Sequence, residues 1–315
     1  MKDSALRIAV CSRSFSRNSR LREALKSQFR DVKFNDEGIT LAGDSLIEFL
    51  GDCDMAITAL ERIDEYVLSQ LPRLKRISKY GVGLDMIDLE ALKRYQKQLA
   101  WKAGVNRRSV AELALTMMLT IIRKIPESQA QIASGNWAQT VGNTLSGKTI
   151  GIVGCGNIGQ DLFSLLKPFG CQMLVNDINE SYEFFSMNDL EVTPLTQLLS
   201  HSDIVTLHLP LDESTRHILS RAQLQEMKMG SILVNTARGG LIDEDALFDE
   251  IQKGRIVGAG LDVFEEEPPF SNKLLSFTQV VSTAHIGGSS EEAILEMGMA
   301  AIEGLSADRA LLYLG

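Results

Sequence analysis

The sequence has no run of apolar residues long enough for a signal peptide or a membrane span; the opening Met1–Arg7 moves straight into the strand-like Ile8–Cys11. A cytoplasmic protein without a membrane partner is the expectation. Cysteine is scarce. The four present, Cys11, Cys53, Cys155 and Cys171, form no CxxC pair and no metal-ligand spacing, so neither a disulfide framework nor a metal centre is expected. Positive charge is also short, with 32 Lys and Arg against 41 Asp and Glu and a net charge of −9. That balance argues against an electrostatic nucleic-acid footprint, yet a small anionic substrate held by one or two local cations remains compatible with it. Low-complexity linkers and repeats at solenoid periods are absent. What remains is 315 residues of ordinary globular composition, 44% hydrophobic, enough for two domains of usual size.

The chain is organised around Lys148 to Pro168. An apolar, β-branched strand, Thr149 to Val153, runs through a glycine turn into a helix, and Gly154, Gly156 and Gly159 keep the G-x-G-x-x-G spacing of a dinucleotide site. Gly154 permits the tight turn, Gly156 leaves no Cβ between backbone and pyrophosphate, and Gly159 lets helix and strand approach, while free N–H groups at the helix start face the phosphates. A glycine-rich turn alone is a weak signal. A second apolar strand, Gln172 to Asn176, ends in Asp177, near the roughly 20-residue interval at which a carboxylate meets the ribose hydroxyls. An acid there would repel a 2′-phosphate, so NAD is favoured over NADP.

Residues 1 to 101 alternate strands (Arg7–Cys11, Val32–Phe34, Met55–Ala59, Arg76–Tyr80, Leu99–Lys102) with helices (Ser19–Phe29, Asp44–Leu50, Asp64–Gln70, Leu89–Lys97), the rhythm of a doubly wound parallel sheet. Ser109–Glu112 reads as a capping box opening a long helix that ends at Pro126. That helix is apolar on more than one side, through Leu115 and Leu119, so a second buried surface is expected: a subunit interface or a domain junction. The second sheet follows in strands Thr149–Val153, Gln172–Asn176, a weak Glu191–Val192, Ile204–Leu207, Ser231–Asn235, Ile256–Leu261 and Gln279–Ser282. Ser289–Glu292 reads as a further capping box, and the last helix has no strand after it, so it is expected to return to the first domain.

Four histidines are present. His201 and His217 sit in polar surroundings. His208 ends a strand and competes for a place in the cleft, but His285, before a Gly-Gly pair and after an apolar strand, has the better case. Arg238, just past a strand end, offers a fork for two-point grip on a carboxylate or carbonyl. The run Glu265–Glu267 before Pro268 and Pro269 offers a carboxylate in a rigid turn, and a carboxylate beside an imidazole raises its pKa towards use near neutrality. Spacing leaves open which glutamate points inward.

Taken in order, the segments Lys79–Asp85, Asn106–Leu113, Gly154–Gly159, His208–Leu211, Asn235–Gly240, Leu261–Pro268 and Ala284–Gly288 resemble the D-isomer-specific 2-hydroxyacid dehydrogenase family, in the branch similar to 3-phosphoglycerate dehydrogenase and hydroxypyruvate or glyoxylate reductase. The resemblance implies two doubly wound parallel-sheet α/β domains: a Rossmann NAD-binding domain over 102–285 and a flavodoxin-like substrate domain from 1–101 and 286–315. It implies that Arg238 orients the substrate, that Glu267 pairs with His285, and that His285 exchanges the proton while hydride moves between C2 and the nicotinamide. Cofactor contacts would come from Gly154, Gly156, Asn157, Ile158, Gly159, Asp177, Leu209, Pro210, Thr215, Thr236, Ala237, Asp262, Gly287 and Gly288. Substrate contacts would come from Val82, Gly83 and Asn106. A homodimer through the 109–125 helix is implied as well.

Three features depart from the phosphoglycerate dehydrogenase pattern. Thr58–Glu61 lacks the basic residue that would meet a phosphate, with only Arg62 following. The sequence ends at Gly315, so serine feedback through a C-terminal regulatory domain is not expected. The lead-in Trp101–Asn106 is altered too. The competing readings are formate dehydrogenase, whose relatives carry glutamine at the Glu267 position, and a non-catalytic NAD(H)-sensing relative of the corepressor kind.

Overall fold

The computed structural model describes residues 3–179 and 183–306. It divides into two compact units, one made of the chain up to Asn106 together with the stretch from Ser289 onward, the other of Arg107–Gly288. Both are α/β units built on parallel sheets.

In the first unit, strands β1 (Asp3–Val10), β2 (Phe29–Phe34), β3 (Met55–Thr58), β4 (Arg76–Lys79) and β5 (Gln98–Ala100) lie in the order β2-β1-β3-β4-β5, all parallel. That is the flavodoxin-like order. Helices cover both faces, as a parallel sheet requires, and bury Leu46, Val67 and Leu92 on one side and Phe15, Leu21 and Ile302 on the other. The helix Glu291–Ser306 lies on this sheet: Ser78 Oγ donates to the Ala301 carbonyl at 2.7 Å and Arg76 to that of Leu305 at 2.8 Å. Gly304 is needed there, because a Cβ would come within 2.5 Å of Ser78 Oγ. The N-cap is Ser290, which accepts from Ala293 N, one residue later than the sequence pattern suggests.

The second unit holds strands β6 (Thr149–Val153), β7 (Gln172–Asn176), β8 (Ile204–Leu207), β9 (Ser231–Asn235), β10 (Ile256–Leu261) and β11 (Val280–Ser282), ordered β11-β10-β9-β8-β6-β7 and parallel throughout. The chain leaves β6 for β7 on one side and returns to β8 on the other. The switch point between β6 and β8 is therefore where a ligand crevice forms. The expected weak strand at 191–192 is reduced to one bridge, Val175 with Val192.

The long helix differs from its sequence reading. It runs Arg107–Ile122, so Ser109 lies inside it rather than at its cap, and Pro126 sits in the first turn of a separate helix, Ile125–Ala133. Ala114, Met117 and Ile121 are buried against the second sheet, which Gly258 makes possible: a Cβ there would stand 2.4 Å from Ile121. The other apolar side chains, Leu113, Leu115 and Leu119, are partly buried against the same core. Among the described residues no helix is long and apolar enough to cross a membrane, and no group of acidic, His or Cys side chains is arranged to hold a metal ion.

Candidate active site

The carboxyl ends of the second sheet bring the predicted residues into two neighbouring groups. The first is the glycine turn. Gly154 has φ +90° and faces the His208 carbonyl, which a Cβ would approach to 2.7 Å; at Gly159 a Cβ would come within 2.3 Å of Gly154 O. At Gly156, by contrast, nothing lies within 4 Å of an added Cβ, so the backbone is open to a ligand. Gly156 is the N-cap of the helix Asn157–Leu166, and no side chain occupies that cap. Asp177 lies beside the turn: its carboxylate accepts from Cys155 N at 2.6 Å and Asn179 N at 2.8 Å, which fixes it at the end of β7. Burial raises the Cys155 thiol to about 12, with Asp177 adding to the shift. That fits a filler rather than a nucleophile.

After β8 come His208, Leu209 and Pro210. The His208 ring shares a hydrogen bond with Thr206 Oγ1 at 3.0 Å, and burial drives its pKa down to about 3, so it stays neutral. Thr215 donates to the Pro210 carbonyl at 2.8 Å and holds that turn. After β9, Thr236 is buried with Oγ1 unpartnered, and Ala237 is buried beside it.

The second group is built on two loops. Arg238 donates to the Ala237 carbonyl at 2.6 Å, and Gly239 lies so close to the next loop that a Cβ would fall 1.9 Å from the Phe264 carbonyl carbon. Within that loop Glu267 Oε1 accepts from Phe264 N at 3.2 Å, and Oε2 meets His285 Nδ1 at 3.0 Å. Since a carboxylate only accepts, Nδ1 carries the hydrogen and Nε2 is left for other chemistry. Glu265, in contrast, turns to Arg216 at 2.6 Å and to His217. The glutamate left open by spacing is thus resolved as Glu267.

The Glu267 hydrogen bond raises the His285 pKa, against burial, with the charges of Glu267 and Asp262 adding and Arg238 opposing. Burial alone would raise Glu267, but the His285 bond and charge, the Phe264 N–H and Arg238 together bring it below its ordinary value. Asp262 is buried and serves the loop: Thr283 Oγ1 and Ile286 N donate to one oxygen at 2.6 and 2.7 Å, Gly287 N to the other at 2.8 Å. Gly288 follows as the last residue of this unit. Ser109, read from sequence as a helix cap, instead donates to the Gly287 carbonyl at 2.6 Å.

In the first unit Val82 and Gly83 lie in the loop after β4, whose Val82 carbonyl accepts from Trp101 Nε1 at 2.8 Å. Asn106 keeps a buried, unpartnered Oδ1.

The stretch 115–287 matches the family model for the NAD-binding domain of D-isomer-specific 2-hydroxyacid dehydrogenases. The chain belongs to that family. A hydroxypyruvate reductase of Thermotoga maritima is 38% identical over 84% of this chain and 87% of its own length. A D-3-phosphoglycerate dehydrogenase of Methanocaldococcus jannaschii is also 38% identical, over 80% of this chain but only 49% of the relative. Among solved structures, a D-lactate dehydrogenase of Aquifex aeolicus complexed with NAD and lactic acid superposes with a TM-score of 0.83 at 26% identity, covering 95% of this chain and 94% of the other. The cofactor of this dehydrogenase is NAD, and the residues present fit it: the space at Gly156, the uncapped helix start and the orphaned Thr236 hydroxyl are what a dinucleotide would fill and satisfy.

The contacts of Ser109, Gly239 and Thr283 with this site were not foreseen from the sequence, and Asp262, expected there as a cofactor contact, also braces the His285 loop. Their partners are distant in sequence, so no local pattern announces them.

Proposed function

We propose that the chain is an NAD-dependent oxidoreductase that interconverts a small D-2-hydroxy acid and its 2-keto acid. The observation that carries this reading is the 3.0 Å bond from His285 Nδ1 to Glu267, with Arg238 close enough for its charge to be felt by both. Bound NAD supplies the two-electron chemistry, a hydride exchanged at C2 of the substrate. Glu267 fixes the imidazole tautomer and favours imidazolium. His285 then holds at Nε2 the proton that the C2 oxygen gains on reduction or loses on oxidation. Arg238 presents two donors in a fixed plane to the substrate's carboxylate or carbonyl, and in the other unit the backbone N–H groups of Val82 and Gly83 and the Asn106 amide are donors of the kind a carboxylate accepts from.

Substrates without a phosphate are favoured, because Thr58–Glu61 carries no cation of its own, the Lys79 ammonium beside it donates to the Ala59 carbonyl, and Glu61 is itself held at Ala59 N, at 2.6 Å. A homodimer is supported by the segment after the long helix, where Ile125, Ile132, Trp137 and Val141 are 50%, 56%, 91% and 82% exposed. So much uncovered apolar surface on one stretch favours association with a second copy.

Oxidation of NADH over glyoxylate, hydroxypyruvate, pyruvate, 2-ketobutyrate and phosphohydroxypyruvate tests the reading. Turnover of at least one of the four unphosphorylated acids is expected. NADH binding without oxidation of any of the five would mark a sensor instead.

A further inference from the structure

The turn that delivers Glu267 to His285 has no regular secondary structure between the end of β10 and a short helical turn at Lys273–Ser276. Its own backbone therefore does little to hold it, and something else must. Glu244, the first residue of the helix Glu244–Gln252, grips the turn at two places. Its Oε1 accepts from Glu265 N at 2.7 Å, and its Oε2 accepts from Asn272 Nδ2 at 2.5 Å. Glu267 lies between those two points. Asn272 in turn donates from its main chain to the Pro269 carbonyl at 2.9 Å, which carries the grip to the residue after Pro268. A carboxylate also suits this place, because the first turn of a helix favours negative charge.

Glu244 belongs to the same segment as Arg238. That segment, 238–244, meets the Glu267 turn twice: Gly239 lies against the Phe264 carbonyl, and Glu244 holds the two ends. The guanidinium and the Glu267–His285 pair are thereby set in register with each other. Errors of an ångström in such a setting cost rates by large factors.

We infer that Glu244 is a positioning residue for the Glu267–His285 pair, a role that rests on the dehydrogenase reading above. Glu265, Asp245 and Asn272 lie against Glu244, and His217, Asp243 and Lys273 share the cavity beside it. Burial raises its pKa and the Glu265 and Asp245 charges add, while the Glu265 N–H and the Asn272 amide oppose. The groups acting on His285 are Glu267, Asp262 and Arg238, none of which Glu244 touches. An effect of Glu244 on the imidazole runs either through the turn or through its charge, and Glu244→Gln, which removes the charge but keeps an acceptor, separates the two. Beside Glu244 is an open cavity of about 340 Å³, lined in part by His217, Asp243, Glu265 and Lys273. Water can fill the space left by a shorter side chain, so truncation is expected to leave the fold standing.

The test uses the full chain with NADH bound, comparing wild type, Glu244→Ala and Glu244→Gln. The His285 imidazole is titrated by NMR, and kcat is measured with the best keto acid of the panel. In Glu244→Ala the His285 pKa is expected to fall back towards its ordinary value and kcat to drop about tenfold or more, with NADH affinity unchanged. Glu244→Gln keeps an acceptor for Glu265 N–H and is expected to lose less on both readouts. An unmoved His285 titration in folded Glu244→Ala overturns the inference, even if thermal stability falls; if that variant does not fold, an unmoved titration in Glu244→Gln overturns it. A shifted titration in a protein that reduces no keto acid upholds the positioning and removes the dehydrogenase reading.

Discussion

The main-chain carbonyl of Asp262 accepts the N–H of His285 at 2.9 Å, and the carboxylate of the same residue accepts the next two N–H groups, from Ile286 and Gly287, at 2.7 and 2.8 Å. His285 has φ 54°, a left-handed backbone that a non-glycine residue adopts at a cost of about 1–2 kcal/mol. Asp262, itself buried, offsets that cost and holds the imidazole where Glu267 reaches it.

Asp262→Ala removes the acceptors of three donors, including the buried Gly287 N–H. A stability loss of about 1–3 kcal/mol is expected for stranding a buried donor, together with a kcat loss larger than the change in NADH affinity. Thermal denaturation and steady-state kinetics check both. An unchanged melting temperature would show that the brace is dispensable.

Gly239→Ala would put a methyl group 1.9 Å from the Phe264 carbonyl carbon, backbone against backbone, where no side chain can yield. Arg238 and the Glu267 turn would be forced apart. Overpacking of this kind costs about 1–3 kcal/mol or more, and kcat is expected to fall before the fold is lost. Wild-type kcat in a folded variant would contradict the close approach.

The pH response has a definite sign. His285 is raised above its ordinary 6.5, chiefly by the Glu267 bond, and Glu267 is lowered below 4.5 despite its burial. The His285 contribution to stability is complete below 6.5 and is lost as pH rises through the raised value. That of Glu267 is complete above 4.5 and is lost as pH falls through the lowered one. Keto-acid reduction, which consumes the imidazolium proton, should decline as pH rises through the raised His285 pKa. Glu267→Gln should move that alkaline limb to lower pH, and a limb that stays in place would detach Glu267 from the proton step.

Asp177→Ala is expected to narrow the preference for NADH over NADPH, since the carboxylate at the end of β7 is what a 2′-phosphate would meet. The ratio of kcat/KM for the two cofactors measures it. An unaltered ratio would assign Asp177 only to holding Cys155 N and Asn179 N.

The second sheet was legible almost residue by residue. Thr149–Val153, Gln172–Asn176, Ile204–Leu207, Ser231–Asn235 and Ile256–Leu261 all form the strands their apolar runs predict; except for the edge strand Gln172–Asn176, which is only partly buried, these are parallel strands buried on both faces, which carry continuous apolar sequence. Signals that a second partner can claim were less reliable. The Ser109–Glu112 pattern resembles a cap, but the helix starts at Arg107 and the hydroxyl is taken by the Gly287 carbonyl, far along the chain. Pro126 reads as a stop, yet a first-turn proline suits a new helix equally well. At the site, the resemblance named Arg238, Asp262, Glu267 and His285, while the close approach of Gly239 and the bonds of Asp262 and Glu244 exist only once the loops are folded.

The central claim is that His285, tuned by Glu267, moves the proton in an NAD-dependent reduction. Single-turnover oxidation of prebound NADH by an unphosphorylated keto acid, wild type beside His285→Ala, tests it most directly. Both proteins are expected to bind NADH with similar affinity, and the variant to lose about 10²–10⁴ in the rate of oxidation. A variant that oxidises NADH at the wild-type rate would contradict the account.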